Sequence, residues 1–79
     1  MRLDKYLKVS RIIKRRTVAN EACDAKHISV NGKPQRASYE VKIGDIIEIQ
    51  FGEKCSKFQV LEINEYANKD NASLMFKQL

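Results

Sequence analysis

The hydrophobic pattern of the chain changes its period near residue 28, and this change limits the possible folds more than any other feature. Up to residue 25, apolar side chains recur at the spacing of one helix face. From Ile28 onwards they alternate with polar side chains, which is the spacing of a strand. The sequence therefore predicts an α+β domain in which two N-terminal helices pack on a small, mainly antiparallel sheet.

Two short apolar series predict the helices. The first runs from Leu3 to Ile13 and predicts a helix over residues 3–12. The second runs from Val18 to Ala25 and predicts a helix over residues 16–25. Because the link between them is short, we expect the helices to pack as a hairpin or an angled pair.

Turn residues divide the second part of the chain. Asn31-Gly32 follows the short strand 28–30, and this pair favours a two-residue hairpin turn because both positions need positive φ. Pro34 cannot donate a ladder hydrogen bond, so the next strand should be short or at an edge. After an irregular polar stretch over 35–40, clear strands are predicted over 46–51 and 57–63, with a turn at 52–54.

The C-terminal tail carries a weaker pattern. Asp70 is expected to cap a helical turn that extends to Met75, and residues 76–79 are expected to return to the sheet. Three to five strands are predicted in total.

Size and composition indicate one small domain over residues 1–79. With 79 residues, 43% of them apolar, the chain suits a folded domain with a limited core. No apolar run exceeds three residues, which argues against a membrane span or a signal peptide and places the protein in the cytoplasm. Cys23 and Cys55 have no metal-binding spacing, so we expect free thiols, no metal and no cofactor.

Positive charge is concentrated at the N-terminus. The net charge of the whole chain is +5, whereas residues 1–16 alone carry +6, so the rest of the chain sums to −1. Such a patch predicts an anion-binding surface, and the alternative is an ordinary solvated charged face. The candidate binding residues of the patch are Arg2, Lys5, Lys8, Arg11, Lys14, Arg15 and Arg16. Lys33 and Arg36 flank the Asn31-Gly32 turn, where they either extend this surface or keep a sheet edge soluble.

Other polar residues of this region have structural explanations. Asp4 lies in the first turn of a helix, where it can pair with Lys8 or hold a basic side chain in position. Tyr6 could stack on a base, but its spacing favours the core. His27 has no nucleophile or acid partner, and no catalytic set of residues stands out, so the sequence favours a binding module over an enzyme.

Four segments together resemble the S4 RNA-binding domain, a family named after a protein of the small ribosomal subunit. The segments are Arg2–Leu7, Arg16 with Ala19, Ile28–Lys33 and Val41–Ile47. The resemblance covers about residues 2–51, leaving strands and a tail over 52–79, and implies the alpha-L arrangement of two helices on a sheet. No catalytic domain is expected, because the motif starts at once after Met1.

The resemblance is strongest to stand-alone bacterial members that act in ribosome quality control, and a small heat-shock ribosome-binding branch is a near relative. It implies binding to large-subunit rRNA and to the peptidyl-tRNA of obstructed subunits, beside a nascent-chain tailing factor of the NEMF family. The RNA-contacting positions of the family correspond to Arg2 and Arg16, and a monomer is implied. The alternatives are a regulator that binds structured RNA, a heat-shock ribosome-recycling factor, and a module that binds an acidic protein.

Two positions depart from the family pattern. Arg15 stands where the family often has a serine that would cap the second helix. Lys26 stands where the family usually has glycine, which puts the geometry of that turn in question if positive φ is required there.

Overall fold

The computed structural model describes residues 1–66 and 68–79, without the side chain of residue 69. It confirms the predicted α+β fold, in which the first two helices precede an antiparallel sheet of five strands in the order β2-β1-β3-β4-β5. The part of the predicted tail at residue 67 lies outside the described residues. The elements are α1 (Leu3–Val9), α2 (Arg16–Asp24), β1 (Ile28–Val30), β2 (Lys33–Pro34), β3 (Ile46–Phe51), β4 (Lys54–Val60), α3 (Lys69–Ala72) and β5 (Phe76–Gln78).

Helix α1 is shorter than the sequence predicts. It ends at Val9 rather than residue 12, because Arg11 has φ of 63°, in the left-handed region that a right-handed helix cannot continue through. The Arg11 N–H donates instead to the Lys8 carbonyl over 3.0 Å. Ile13 is nevertheless buried, so the apolar periodicity extends into residues that join the core without being helical.

The start of α1 is held by a distant part of the chain. No side chain caps this helix, but the N–H groups of Leu3 and Asp4 donate to the carbonyls of Tyr39 and Ala37, over 2.8 and 3.2 Å. These bonds satisfy donors that a helix start leaves without partners. They also fix the position of residues 2–5 relative to the sheet.

Helix α2 lies within one residue of its predicted range. Its C-terminus forms a Schellman turn, in which the N–H of Lys26 donates to the Cys23 carbonyl and that of His27 to the Ala22 carbonyl, over 3.0 and 2.9 Å. Lys26 has φ of 62°. The turn therefore has the left-handed geometry that favours glycine, although a lysine occupies the position.

The first hairpin of the sheet follows the prediction. Asn31 and Gly32 both have positive φ and join β1 to β2, which is two residues long and lies at the edge of the sheet. Strand β3 has its predicted range over Ile46–Phe51.

Strand β4 is shifted from its predicted range over residues 57–63. Gly52 has φ of 60°, which permits a two-residue turn at 52–53, so pairing already resumes between Phe51 and Lys54. At its other end, β4 stops at Val60. The N–H of Leu61 donates to the Met75 carbonyl over 2.8 Å, which directs the chain away from the β3 ladder.

The C-terminal tail contains the short helix and the final strand. The N-cap of α3 is Asn68 rather than Asp70, because the Asn68 side chain accepts from the N–H groups of Asp70 and Asn71, both over 3.0 Å. The predicted return to the sheet is confirmed by β5, which pairs with β4.

The core lies between the helices and one face of the sheet. Tyr6 belongs to it, with its ring fully buried and its hydroxyl donating to the Met75 carbonyl over 2.7 Å, so its core interpretation is confirmed. Buried side chains of the helices are Leu3, Leu7, Ala19, Ala22 and Cys23, and those of the sheet are Ile28, Val30, Ile47, Ile49 and Val60. This packing leaves the opposite face of the two helices, with its basic residues, in contact with solvent.

Candidate nucleic-acid interface

Most of the basic residues of the N-terminus line one open cavity, which we call the cationic groove. Its volume is about 400 Å³. Helix α1, the link at 10–15 and the first turn of α2 each contribute to it. The lining residues are Lys5, Lys8, Val9, Arg11, Lys14, Arg16 and Glu65. Five of the seven basic residues of the predicted patch therefore converge on one depression.

The left-handed residue at the end of α1 helps to build this groove. Positive φ at Arg11 turns the chain sharply, so Arg11 and Lys14 lie on the same cavity as Lys8. A non-glycine residue in this conformation costs about 1 kcal/mol. Strain of this kind is often retained where it places a functional side chain.

A second group of side chains, the arginine–aspartate cluster, adjoins the groove and consists of Arg2, Asp4, Arg16 and Asn20. The Arg2 Nε lies 3.2 Å from Asp4 Oδ1, and the Arg16 Nε lies 3.2 Å from Asp4 Oδ2. The Asn20 amide donates to Oδ2 over 3.4 Å, and the Lys5 N–H donates to Oδ1 over 2.8 Å. The carboxylate thus joins the start of α1 to the first turns of α2.

Burial and hydrogen bonding act in opposite directions on the Asp4 carboxyl. Burial by itself raises the pKa of Asp4, because its side chain is only 2% exposed. The bonds from Arg16, from the Lys5 N–H and from Asn20, with the charge of Arg16, outweigh burial and leave the pKa of Asp4 below its ordinary value. Asp4 is therefore ionised at neutral pH.

The predicted pairing of Asp4 with Lys8 is wrong. The carboxylate points towards α2 and is occupied by Arg2 and Arg16, which leaves Lys8 exposed on the groove. The other prediction for Asp4, that it holds a basic side chain in position, agrees with these contacts. Asp4 binds two basic side chains, those of Arg2 and Arg16.

Both arginines of the cluster remain open to solvent on their outer side. Their side chains are 51% and 46% exposed, for Arg2 and Arg16 respectively. Two further cavities, of about 460 and 440 Å³, are lined by both of them. The cluster thus presents two guanidinium groups side by side at the edge of the cationic groove.

The remaining predicted site residues lie elsewhere. Arg15 is the N-cap of α2 but makes no side-chain cap, and it does not line the groove. Lys33 is exposed on β2 at the sheet edge. Arg36 lines a separate cavity of about 320 Å³ together with Lys26 and Asp24.

Asn20 and Glu65 are among the polar residues of this surface that sequence analysis missed. Asn20 reaches Asp4 from the second turn of α2, and Glu65 reaches the groove from the C-terminal segment, where its Oε1 lies 3.7 Å from Lys5 Nζ. Asn20 has the helical spacing from Arg16 that puts both on one face, which is a usable signal. Glu65 is 60 positions from Lys5 in sequence, and no local pattern indicates their contact.

The cysteines take no part in this surface. Cys23 is buried, and burial, followed by the charges of Asp4 and Asp24, raises the pKa of its thiol to about 11, so the thiol stays protonated. Cys55 is exposed on β4, and both cysteines are free. Over residues 1–66 and 68–79, no group of His, Cys, Asp and Glu is arranged to hold a metal ion, and no helix is long and apolar enough to cross a membrane.

Comparisons with known proteins agree with this arrangement. The S4 domain model matches residues 1–47. The chain is 51% identical to the RQC P-site tRNA stabilizing factor of Streptococcus pneumoniae, over 98% of this chain and 88% of that protein. It is 49% identical to the protein of the same name from Bacillus subtilis, over 96% of this chain and 88% of that protein.

Solved structures share the fold. The trimeric Heat Shock Protein 15 of Vibrio cholerae matches with a TM-score of 0.91 over 100% of this chain and 81% of that chain, at 24% identity, which shows the fold alone. Since the family model covers more than half of the chain and the two bacterial relatives share 51% and 49% identity with it over nearly its whole length, the chain belongs to the S4 domain family and, within it, to the family of RQC P-site tRNA stabilizing factors.

Proposed function

We propose that this protein binds large-subunit rRNA and P-site tRNA on large ribosomal subunits obstructed by a peptidyl-tRNA, and so supports C-terminal tailing of the stalled nascent chain. The cationic groove, with the two arginines beside it, carries the proposal. The names of the relatives, which specify stabilisation of P-site tRNA within ribosome quality control, supply the biological setting.

The chemistry of the groove suits folded RNA. A-form RNA exposes its phosphates and 2′-hydroxyls more readily than its base edges, so a protein can bind it through charge and shape. Lysine ammonium groups supply mobile point charges, while the arginines supply planar forks that match a phosphate. A groove lined by both kinds of side chain offers several cationic contacts to the phosphates of folded RNA such as rRNA and tRNA.

The proposed role is non-enzymatic and needs no cofactor. The buried carboxylates of Asp4 and Asp45 are both committed to several hydrogen-bond donors, which is a structural use of these groups. We propose a monomer that acts in the cytoplasm, beside a nascent-chain tailing factor of the NEMF family that extends the stalled chain.

Co-sedimentation with purified large ribosomal subunits that carry peptidyl-tRNA tests this proposal. The variant Arg2→Ala/Arg16→Ala should lose most of its binding, because it removes both guanidinium forks. Lys77→Ala is the control for the loss of one positive charge elsewhere, since residue 77 is exposed on β5, where it pairs with Gln59 of β4. Thermal melting of each variant checks that it is folded at the temperature used.

Three results would count against the proposal. Equal binding by the double arginine variant and the wild type would remove these residues from the interface. Crosslinking and sequencing that recovered mRNA or other RNA instead of large-subunit rRNA and tRNA would favour a regulator of structured RNA. A partner that stayed bound after ribonuclease treatment would favour an acidic protein.

A further inference from the structure

The cavities of the proposed RNA-binding surface are lined by several acidic residues, which include Glu21 and Glu40, and two others, Asp4 and Glu65, differ sharply in environment. Asp4 is 2% exposed and accepts hydrogen bonds from two arginines, an asparagine and a backbone N–H. Glu65 is 53% exposed and forms an ion pair with Lys5 at 3.7 Å. A negative charge at a phosphate-binding surface repels RNA, so each acid needs a reason to be there.

The contacts of Asp4 fix the orientation of both arginines. Arg2 donates through Nε to Asp4 Oδ1 over 3.2 Å and through Nη2 to Oδ2 over 3.4 Å, and Arg16 donates through Nε to Oδ2 over 3.2 Å. Because both pairs share a single carboxylate, the two guanidinium groups are held next to each other. Both side chains are still about half exposed, so their outer nitrogens are available to a ligand.

Fixing a flexible arginine before binding has a thermodynamic value. Ordering a long side chain during association costs about 0.5–1.5 kcal/mol, and a side chain that is already ordered avoids most of this cost. The advantage applies to each arginine. The free energy saved in this way exceeds the repulsion between a phosphate and the Asp4 carboxylate, because that carboxylate is buried and its charge is balanced by the two arginines.

We propose that Asp4 is a positioning residue that holds Arg2 and Arg16 as a pre-formed pair for an RNA phosphate. This inference rests on the proposed function, because it assumes that the surface binds RNA. The inference predicts that removing the charge of Asp4 and removing the charge of Glu65 have opposite effects on RNA affinity. Removing the negative charge of Asp4 weakens RNA binding, although it makes the surface more positive, whereas removing that of Glu65 strengthens it.

The test measures the affinity of wild type, Asp4→Asn and Glu65→Gln for two probes, an RNA hairpin with a double-stranded stem and purified large ribosomal subunits. Asp4→Asn keeps the size of the side chain but cannot accept from both arginines as a carboxylate does. We expect about tenfold weaker binding, which corresponds to ordering two arginines on association. Glu65→Gln should bind about twofold more tightly, because it changes exposed charge without releasing an arginine.

A double-mutant cycle separates positioning from a general loss of structure. Asp4→Asn is introduced into the Arg2→Ala/Arg16→Ala background, where a residue that acts through the arginines has nothing left to position. We expect Asp4→Asn to leave the affinity unchanged or slightly higher there. A purely structural role would weaken binding by the same factor in both backgrounds, at a temperature where thermal melting shows every variant to be folded.

The results distinguish this inference from the proposed function. If Asp4→Asn binds the hairpin as tightly as wild type or more tightly, or if the cycle is additive, the positioning role is wrong. If wild type binds the hairpin but not large subunits, the proposed function is wrong, while the hairpin data still decide the role of Asp4. If wild type binds neither probe, both proposals fail.

Discussion

Two basic residues, Arg11 and Lys26, adopt the left-handed conformation at the ends of α1 and α2, where glycine is usual. Arg11 lines the cationic groove, so its strain has a use in placing a cation. Lys26 lies outside this groove, at a separate cavity beside Arg36. The strained backbone at Arg11 therefore places a cation in the groove, whereas the same strain at Lys26 has no such use.

Replacing Lys26 with glycine should stabilise the protein. The Schellman turn keeps its hydrogen bonds, since both donors and both acceptors are backbone groups, and glycine adopts φ of 62° without the steric cost of a Cβ. We expect the free energy of unfolding to rise by about 1 kcal/mol and the melting temperature by roughly 4–8 °C. Urea and thermal denaturation measure both quantities.

Lys26→Ala is the control for this prediction, because it removes the charge but keeps the Cβ. It should show no comparable gain. An equal gain in both variants would attribute the effect to charge, and a loss in Lys26→Gly would mean that the flexibility of glycine in the unfolded chain outweighs the relief of strain.

Asp45 connects the turn between β1 and β2 to the loop between β2 and β3 through one buried carboxylate. It accepts from the Asn31 side-chain amide over 3.0 Å, from the Tyr39 hydroxyl over 3.0 Å and from the Lys42 N–H over 2.9 Å. Asn31 in turn accepts from the Ile46 N–H over 2.9 Å. The turn between β1 and β2 is thereby attached to the start of β3.

Asp45→Ala should therefore destabilise the sheet by about 2 kcal/mol, because it leaves three donors without their acceptor at a site that is largely buried. Urea denaturation gives the free energy of unfolding. Tyr39→Phe removes only one of these bonds and should cost about 0.5–1.5 kcal/mol. If the two variants were equally stable, the bonds from Asn31 and Lys42 would contribute nothing measurable.

The elements that sequence analysis predicted well are those with local signals. The Asn31-Gly32 pair is by itself a strong hairpin-turn signal, and β3 alternates between half-buried and buried positions over its first four residues. The end of α1 was missed because Ile12 and Ile13 continue the helical period, although they line a cavity with residues of β3 and β4, among them Phe51, rather than extending the helix. The start of β4 was predicted too late, because the turn after β3 has two residues rather than the three that sequence analysis assigned to it.

The candidate site was predictable to a similar extent. The basic residues were evident from local charge, and Asp4 could be recognised as a structural partner. Which cations Asp4 binds was not predictable, because Arg16 reaches it only when α2 packs against α1. Glu65 joins the groove through the return of the C-terminal segment, a long-range contact that no spacing rule describes.

At the scale of the whole molecule, charge is divided between two regions of the sequence. Residues 1–16 carry +6 and the rest of the chain −1. The fold keeps this division in space, since the two helices cover one face of the sheet and five of the basic residues share one groove. The electrostatic field of such a molecule turns its cationic groove towards a polyanion as the two approach.

This asymmetry predicts a steep dependence of RNA binding on salt. If about five to seven phosphates are neutralised, the logarithm of the association constant should fall with the logarithm of salt concentration with a slope of about −4 to −6. Titration of an RNA hairpin at several potassium chloride concentrations measures the slope. Arg2→Ala/Arg16→Ala should reduce its magnitude by about two, because each arginine accounts for about one displaced counterion. Lys77→Ala should leave the slope unchanged, and a slope near zero for the wild type would show that charge does not hold the RNA.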